Sequence, residues 1–213
     1  MSRVRVHSFA VSLDGYAAGP DQSVDAPIGV GGERLHGWVF DTAYGRAMIG
    51  DDGGTRGVDD AWLRRGDDGI GATVMGRNMF GPVRGPWPDD SWRGWWGEEP
   101  PYGHEVFVLT HHAREPLTMG ATTFHFMSDG LETVLDRARS AAGDADVRLG
   151  GGVATVREGL HRGLVDDVHL AVVPTLLSAG ERLYDDVAPW PQGWTCVERE
   201  SGEGVVHMRF ARD

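Results

Sequence analysis

The segment Val147-Arg-Leu-Gly-Gly-Gly-Val-Ala-Thr155 combines an apolar run, three glycines and residues suited to a helix start. Glycines let a backbone approach a ligand closely, and a helix N-terminus offers free N–H groups and partial positive charge to a phosphate. Gly150, Gly151, Gly152, Val153, Ala154 and Thr155 therefore make either a pyrophosphate cradle or only a tight strand-to-helix turn. The pattern is neither GxGxxG nor a lysine-bearing Walker loop. Val74-Met-Gly76-Arg77 ends a second apolar run; an arginine there can clamp a phosphate with two N–H groups or form a surface ion pair. Val108-Leu-Thr110-His111-His112-Ala-Arg114 ends a third with a hydroxyl, two imidazoles and a guanidinium, a set suited to phosphate or adenine, or simply a polar loop. Ligands of open α/β sheets gather at the carboxyl ends of strands, so three such ends point to one shared site.

Other chemistry is sparse. The nine histidines show no HExxH or similar ligand spacing, so no metal site is expected. No GxSxG elbow is present, which argues against hydrolase chemistry. Trp87, Trp92, Trp95 and Trp96 could stack an aromatic ligand, cover the core or fill a dimer contact.

The elements that would carry these residues follow from periodicity. Residues 3–11 alternate and then run apolar, as a strand entering a core does, and end at the turn Ser12-Leu-Asp-Gly15. A long Gly/Pro/Asp/Ser loop spans 18–37 and is a candidate lid. One short helix is expected from Trp38 to Met48, and a second from Asp59 to Arg65. Strands are expected at 72–75, 105–110, 122–126, 146–149 and 164–173, and helices at 130–142 and 153–162, the latter stopped by Gly163. Residues 81–103 read as a loop, and 194–200 with 205–211 as a terminal hairpin. The order predicts an α/β three-layer sandwich: a central mixed, mostly parallel sheet and a C-terminal antiparallel hairpin, as one domain over 1–213.

Composition bounds the partners. The chain has 213 residues, 40% hydrophobic; its 20 basic residues are all arginine and face 32 acidic ones, for a net charge of −12. That content builds a core and excludes a disordered tail. The acidic balance argues against nucleic acid and anionic membranes, so an anionic ligand needs local arginines or backbone N–H groups. A single cysteine, Cys196, fits a reducing compartment, and neither a signal peptide nor a membrane span is expected, which makes cytoplasm the default.

The order and spacing of Ser12-Leu-Asp-Gly15, Val74-Met-Gly-Arg77, Val108-Leu-Thr110, Leu149-Gly-Gly-Gly152 and Gly163-Leu-Val-Asp-Asp-Val-His-Leu-Ala-Val-Val-Pro-Thr-Leu-Leu177 resemble the dihydrofolate reductase superfamily. The closer likeness is to the branch holding the C-terminal reductase domain of bacterial riboflavin-biosynthesis enzymes (RibD C-terminal domain). The resemblance implies an NADPH-dependent reductase, of the dihydrofolate or 5-amino-6-ribosylaminouracil phosphate reductase type, passing hydride to a small heterocyclic (pterin- or pyrimidine-like) or conjugated substrate. It places Arg77 and Thr110, His111 and His112 at the adenosine 2′-phosphate, with Gly76 beside them. Gly150 to Gly152, Val153, Ala154 and Thr155 would take the pyrophosphate, and Ala17 and Ala18 the nicotinamide. Leu35-His36-Gly37-Trp38 is similar to the Leu-Pro-Trp of folate reductases, with His36 in place of proline. On the substrate side it suggests Trp38 and Phe40 for binding, with Asp14 and Asp41 as catalytic candidates; Asp14 also reads as a turn residue before Gly15. A homodimer is expected by the same likeness. Two other classes stand beside this reading: a non-catalytic dinucleotide- or small-molecule-binding protein, and a flavin-binding oxidoreductase holding FMN phosphate on the same glycines.

Overall fold

The apolar alternation near the N-terminus becomes a central strand, β1 (Val4–Ser12), in a computed structural model that describes residues 2–81, 85–89, 91–185 and 193–212. Parts of the expected 81–103 loop, residues 82–84 and 90, lie outside that set. The strands that follow are β2 (Tyr16–Ala18), β3 (Ile70–Gly76), β4 (Glu105–Leu109), β5 (Leu117–Met119), β6 (Thr122–Met127), β7 (Asp146–Gly151), β8 (Asp167–Val173), β9 (Glu181–Arg182), β10 (Trp194–Ser201) and β11 (Val206–Arg212). Nine of them form one sheet in the order β10-β11-β8-β1-β7-β3-β4-β6-β5. The pairs from β8 through β1, β7, β3 and β4 to β6 are parallel; β10, β11 and β5 run antiparallel at the edges. This is the mixed, mostly parallel sheet with a terminal hairpin expected from the sequence.

The helices are α1 (Gly37–Asp41), α2 (Ala43–Met48), α3 (Val58–Asp67), α4 (Arg77–Phe80), α5 (Leu131–Ala142) and α6 (Val153–His161). On one face of the sheet, Leu131, Val134, Leu135 and Ala138 of α5 and Val153, Val156 and Leu160 of α6 bury against Val4, Val6, Val74, Val147 and Leu149. Gly163 ends the α6 region at φ +69°, as its stop signal implied. The other face is covered in two different ways. Over β1, β8 and β11 lies α3, whose Trp62 stacks on His169 and His207 with ring centroids 4.3 and 4.9 Å apart. Over β3, β4 and β6 no helix of comparable length is available, and the tryptophan-rich loop serves instead. Trp87, Trp92 and Trp96 pack on a cluster containing Met75, Phe80, Phe124 and Phe126. Core cover is thus the reading the structure selects for three of the four tryptophans.

Two expectations are corrected. The single helix at 38–48 is broken: Thr42 is extended and its hydroxyl caps α2 by accepting from Gly45 N at 3.0 Å. A side chain at Gly45 would collide with the Val39 carbonyl, so the chain turns sharply where periodicity alone reads straight through. The loop 18–37 also holds a 3-10 turn, Gly32–Leu35, and its first residue, Ala18, closes β2, which pairs with β9.

Candidate functional site

Two adjoining cavities open where β3, β4, β6 and β7 end. The outer one, about 520 Å³, is lined by Gly76, Arg77, Asn78, Thr110, His111, His112, Ala154 and Thr155, and by the start of α5 from Ser128 to Leu131. The inner one, about 160 Å³, is lined by Ser8, Phe9, Ala10, Ala17, Ala18, Gln22, His36, Asn78, Met79 and the turn Gly150 to Val153. Asn78 belongs to both walls, and its side-chain N–H donates to Gln22 Oε1 at 2.8 Å, tying the loop after β2 to α4. The outer volume falls within the size of small-molecule sites, roughly 300–1,000 Å³, and the inner one is a smaller annex to it. Every residue assigned to a cofactor on sequence grounds lies on one wall or the other.

The glycine turn divides the groove. Gly152 precedes α6 without any side-chain cap, so the N–H groups of Val153 and Ala154, residues on the cavity walls, lack intrahelical acceptors. The Gly151–Gly152 peptide is cis. Gly76 is required for room rather than for dihedral freedom: its φ is −76°, but a Cβ there would run into the Thr155 hydroxyl and stand 3.2 Å from Gly152 N. The ends of β3 and β7 therefore lie close enough to make one continuous wall. A second uncapped helix start, Gly130 before α5, faces the same cavity.

Arg77 is the outer cavity's main cation. Its guanidinium lies 3.1 Å from the centre of the Trp87 ring, and its Nη1 donates to Thr110 Oγ1 at 3.1 Å. Nε and Nη2 are buried with no hydrogen-bond partner among the described residues. Burial, and then the neighbouring Arg114, draw its pKa down to about 10, which leaves it cationic at neutral pH. The two acids at the rim are already occupied, Asp129 by Arg137 at 3.7 Å and Glu158 by Arg162 at 3.1 Å. Unmatched arginine N–H groups, bare helix N–H groups and glycines that permit close approach are the donor set a phosphorylated dinucleotide requires. A larger depression of about 830 Å³ lies among Arg3, Arg139 and Arg212. Each of those arginines already has a partner, Asp167, Asp136 and the Gly163 carbonyl respectively.

The substrate-side candidates are not brought together. The Asp14 carboxylate accepts from the Ser12 hydroxyl at 2.6 Å, from Ser178 N at 2.8 Å and from Leu177 N at 3.2 Å. The Ser12 bond first, then the backbone N–H groups, hold it below the usual carboxylate range, and the residue works as a staple between two turns. Trp38 is 5% exposed, and its indole donates to the Leu35 carbonyl at 3.0 Å, inside a packed cluster with Ala10, Leu63 and Val173. Phe40 and Asp41 are exposed on α1. None of these four lines either cavity. His36, met in the sequence only within the Leu35–Trp38 likeness, does, and so do Ser8, Gln22, Asn78 and Met79, for which the sequence carried no motif. Among the described residues, no group of three or more His, Cys, Asp or Glu is placed to hold a metal, and no helix is long and apolar enough to cross a membrane.

Comparison with known proteins fits this architecture. A protein from Shewanella sp. PV-4 assigned to riboflavin biosynthesis superposes with a TM-score of 0.62 at 19% identity, covering 100% of this chain and 99% of that one. Dihydrofolate reductase from Enterococcus faecalis, complexed with NADP(H) and RAB-propyl, superposes with a TM-score of 0.54 at 12% identity, covering 100% and 96%. At these identities the likeness is one of fold. No curated protein matches the sequence. The family model for the RibD C-terminal domain matches residues 5–206, and the chain therefore belongs to the RibD C-terminal domain family, a family of reductases.

Proposed function

We propose that the protein is an NADPH-dependent reductase of a small, uncharged heterocyclic or conjugated substrate. The observation that carries the reading is the outer cavity's Arg77, with two buried N–H groups unmatched, at one end of a groove that runs over uncapped glycines into a small, uncharged inner cavity. Arg77, steered by Trp87 and Thr110, would take the 2′-phosphate, with His111 and His112 beside it. The N–H groups of Val153 and Ala154 would take the pyrophosphate, and Ala17, Ala18 and the glycine turn would flank the ring end. When bound, such a cofactor supplies a hydride at its nicotinamide ring. The chain supplies alignment and a dry cavity. The walls of the inner cavity hold no carboxylate among the described residues, so neither Asp14 nor Asp41 is given the part of proton donor.

The test is a titration with NADPH and NADH at one salt concentration, read by tryptophan quenching and energy transfer. Trp87 touches Arg77 and should report directly. Saturable binding that favours NADPH supports the reading. Binding of neither nucleotide removes it, and a purified protein that is yellow would turn attention to a flavin on the same glycines.

A further inference from the structure

β1 pairs with β7 at Val4 and Arg5, and the inner cavity lies where the two strands have parted, between Ser8 to Ala10 and the glycine turn. On its other side β1 stays paired with β8, but the register slips between Val6 and Phe9. Ser8 sits in that bulge at φ +52°, a left-handed backbone that strains a serine; bulges of this kind re-aim a side chain beside a site. The residue is half-buried although β1 lies in mid-sheet, and the space it opens on is the inner cavity, where it is the one hydroxyl on the described walls.

Buried imidazoles behind β1 hold the bulge. Ser8 N donates to His169 Nδ1 at 3.0 Å, so that nitrogen carries no hydrogen. His7 Nδ1 stands 3.2 Å from the same atom and 3.2 Å from Ser8 Oγ. Two ring nitrogens hydrogen-bonded to each other need one hydrogen between them, and since His169 Nδ1 has none, it sits on His7 Nδ1. His7 is thus a donor on this side and cannot accept from Ser8. The Ser8 hydroxyl hydrogen is left without an acceptor among the described residues. Beyond His169 the network is anchored: its Nε2 pairs with His207 Nδ1 at 3.0 Å, and His207 Nε2 with Asp59 Oδ1 on α3 at 2.8 Å.

We propose that the Ser8 hydroxyl donates a hydrogen bond to the substrate atom that gains charge as hydride arrives, and that His169 is the positioning residue that aims it. The proposal rests on the reductase reading and adds the group that meets the developing charge. The substrate carbon takes hydride from the reduced cofactor, which is left oxidised. The π pair of the reacting C=O or C=N bond moves to oxygen or nitrogen, and that atom then takes a proton from water. Ser8 stabilises the charge in between, from a place fixed before the reaction, and is not consumed.

The test uses p-nitrophenolate, a ring bearing a charged oxygen, and nitrobenzene, the same ring without it, each titrated into the protein at a pH where the phenol is ionised. Ser8→Gly removes the hydroxyl and suits the left-handed backbone. Its preference for the phenolate over nitrobenzene should fall at least tenfold below that of wild type. His169→Gln, whose amide lies near the Nε2 position, leaves Ser8 N without its acceptor and should lose the same preference. His169→Asn, whose oxygen lies near the Nδ1 position, should keep it; a merely structural role would treat the two alike. An unchanged preference in Ser8→Gly, equal behaviour of the two His169 variants, or binding of neither ring to wild type overturns the proposal. Ser8→Gly decides the hydroxyl's part even where a His169 variant fails to fold. Titration with NADP⁺ separates the two readings. If it binds wild type and the phenolate preference does not depend on Ser8, this inference alone fails; if it does not bind, the reductase reading has failed and this inference falls with it.

Discussion

Arg77 lies over an indole on the wall of the outer cavity, where its guanidinium keeps a positive charge that favours an incoming anion. Hydrogen bonds to charged groups contribute about 1.5–3 kcal/mol, so Arg77→Met should weaken NADPH by roughly 10- to 100-fold and leave NADH nearly unchanged. Equal losses for both nucleotides, measured by the same fluorescence titration, would take Arg77 off the 2′-phosphate. The residue was readable in the sequence because a strand ended on Gly-Arg. Its stacking partner was not, since Trp87 reaches it from a loop whose path no periodicity describes. His36 was readable only as a departure from a Leu-Pro-Trp pattern; that its imidazole faces a cavity depends on the 3-10 turn before it. Asp14 shows the opposite case, a residue of catalytic type whose carboxylate is committed to Ser12, Leu177 and Ser178.

At the level of elements, the cradle depends on β3 and β7 ending side by side, with Gly76 against Thr155 and Gly152. Gly76→Ala forces a methyl group into that contact and should cost about 1–3 kcal/mol of stability together with most of the nucleotide affinity. A variant with unchanged melting temperature and unchanged NADPH binding would show that the two strand ends can separate freely. The longer strands and the helices α3, α5 and α6 were legible because burial imposes periods of two and 3.6 on them. The short pieces were not: β2, β5, β9 and α4 span only two to four residues and are fixed by their neighbours rather than by pattern. The tryptophan-rich loop belongs to the same class. Its composition announced burial, and only the sheet order shows that it replaces a helix over β3, β4 and β6.

Across the whole molecule, the face under α3 holds an unusual core of imidazoles. His7, His169 and His207 are 8%, 0% and 0% exposed. Burial first, then nearby arginines, lower His7 to about 2, and burial lowers His169 further. The unfolded chain therefore binds protons below pH 6.5 that the folded chain refuses, so stability holds above that pH and falls as acid is added. Each such histidine costs about 1.4 kcal/mol per pH unit, so the two together remove about 4 kcal/mol at pH 5, a large share of a typical 5–15 kcal/mol. Urea melts at pH 7.5 and 5 measure this, and equal midpoints would disprove it. Two of these rings, His169 and His207, have their tautomers fixed by direction. Ser8 N donates to His169 Nδ1 at 3.0 Å, so His169 Nε2 carries the hydrogen and donates to His207 Nδ1 at 3.0 Å. His207 Nε2 then donates to Asp59 Oδ1 at 2.8 Å. Because β1, β8 and β11 must be in register for this chain to close, its two ring protons should be shielded from exchange and visible as separate downfield resonances in the proton NMR spectrum. Their disappearance during unfolding would time the parting of three strands at once, without any label.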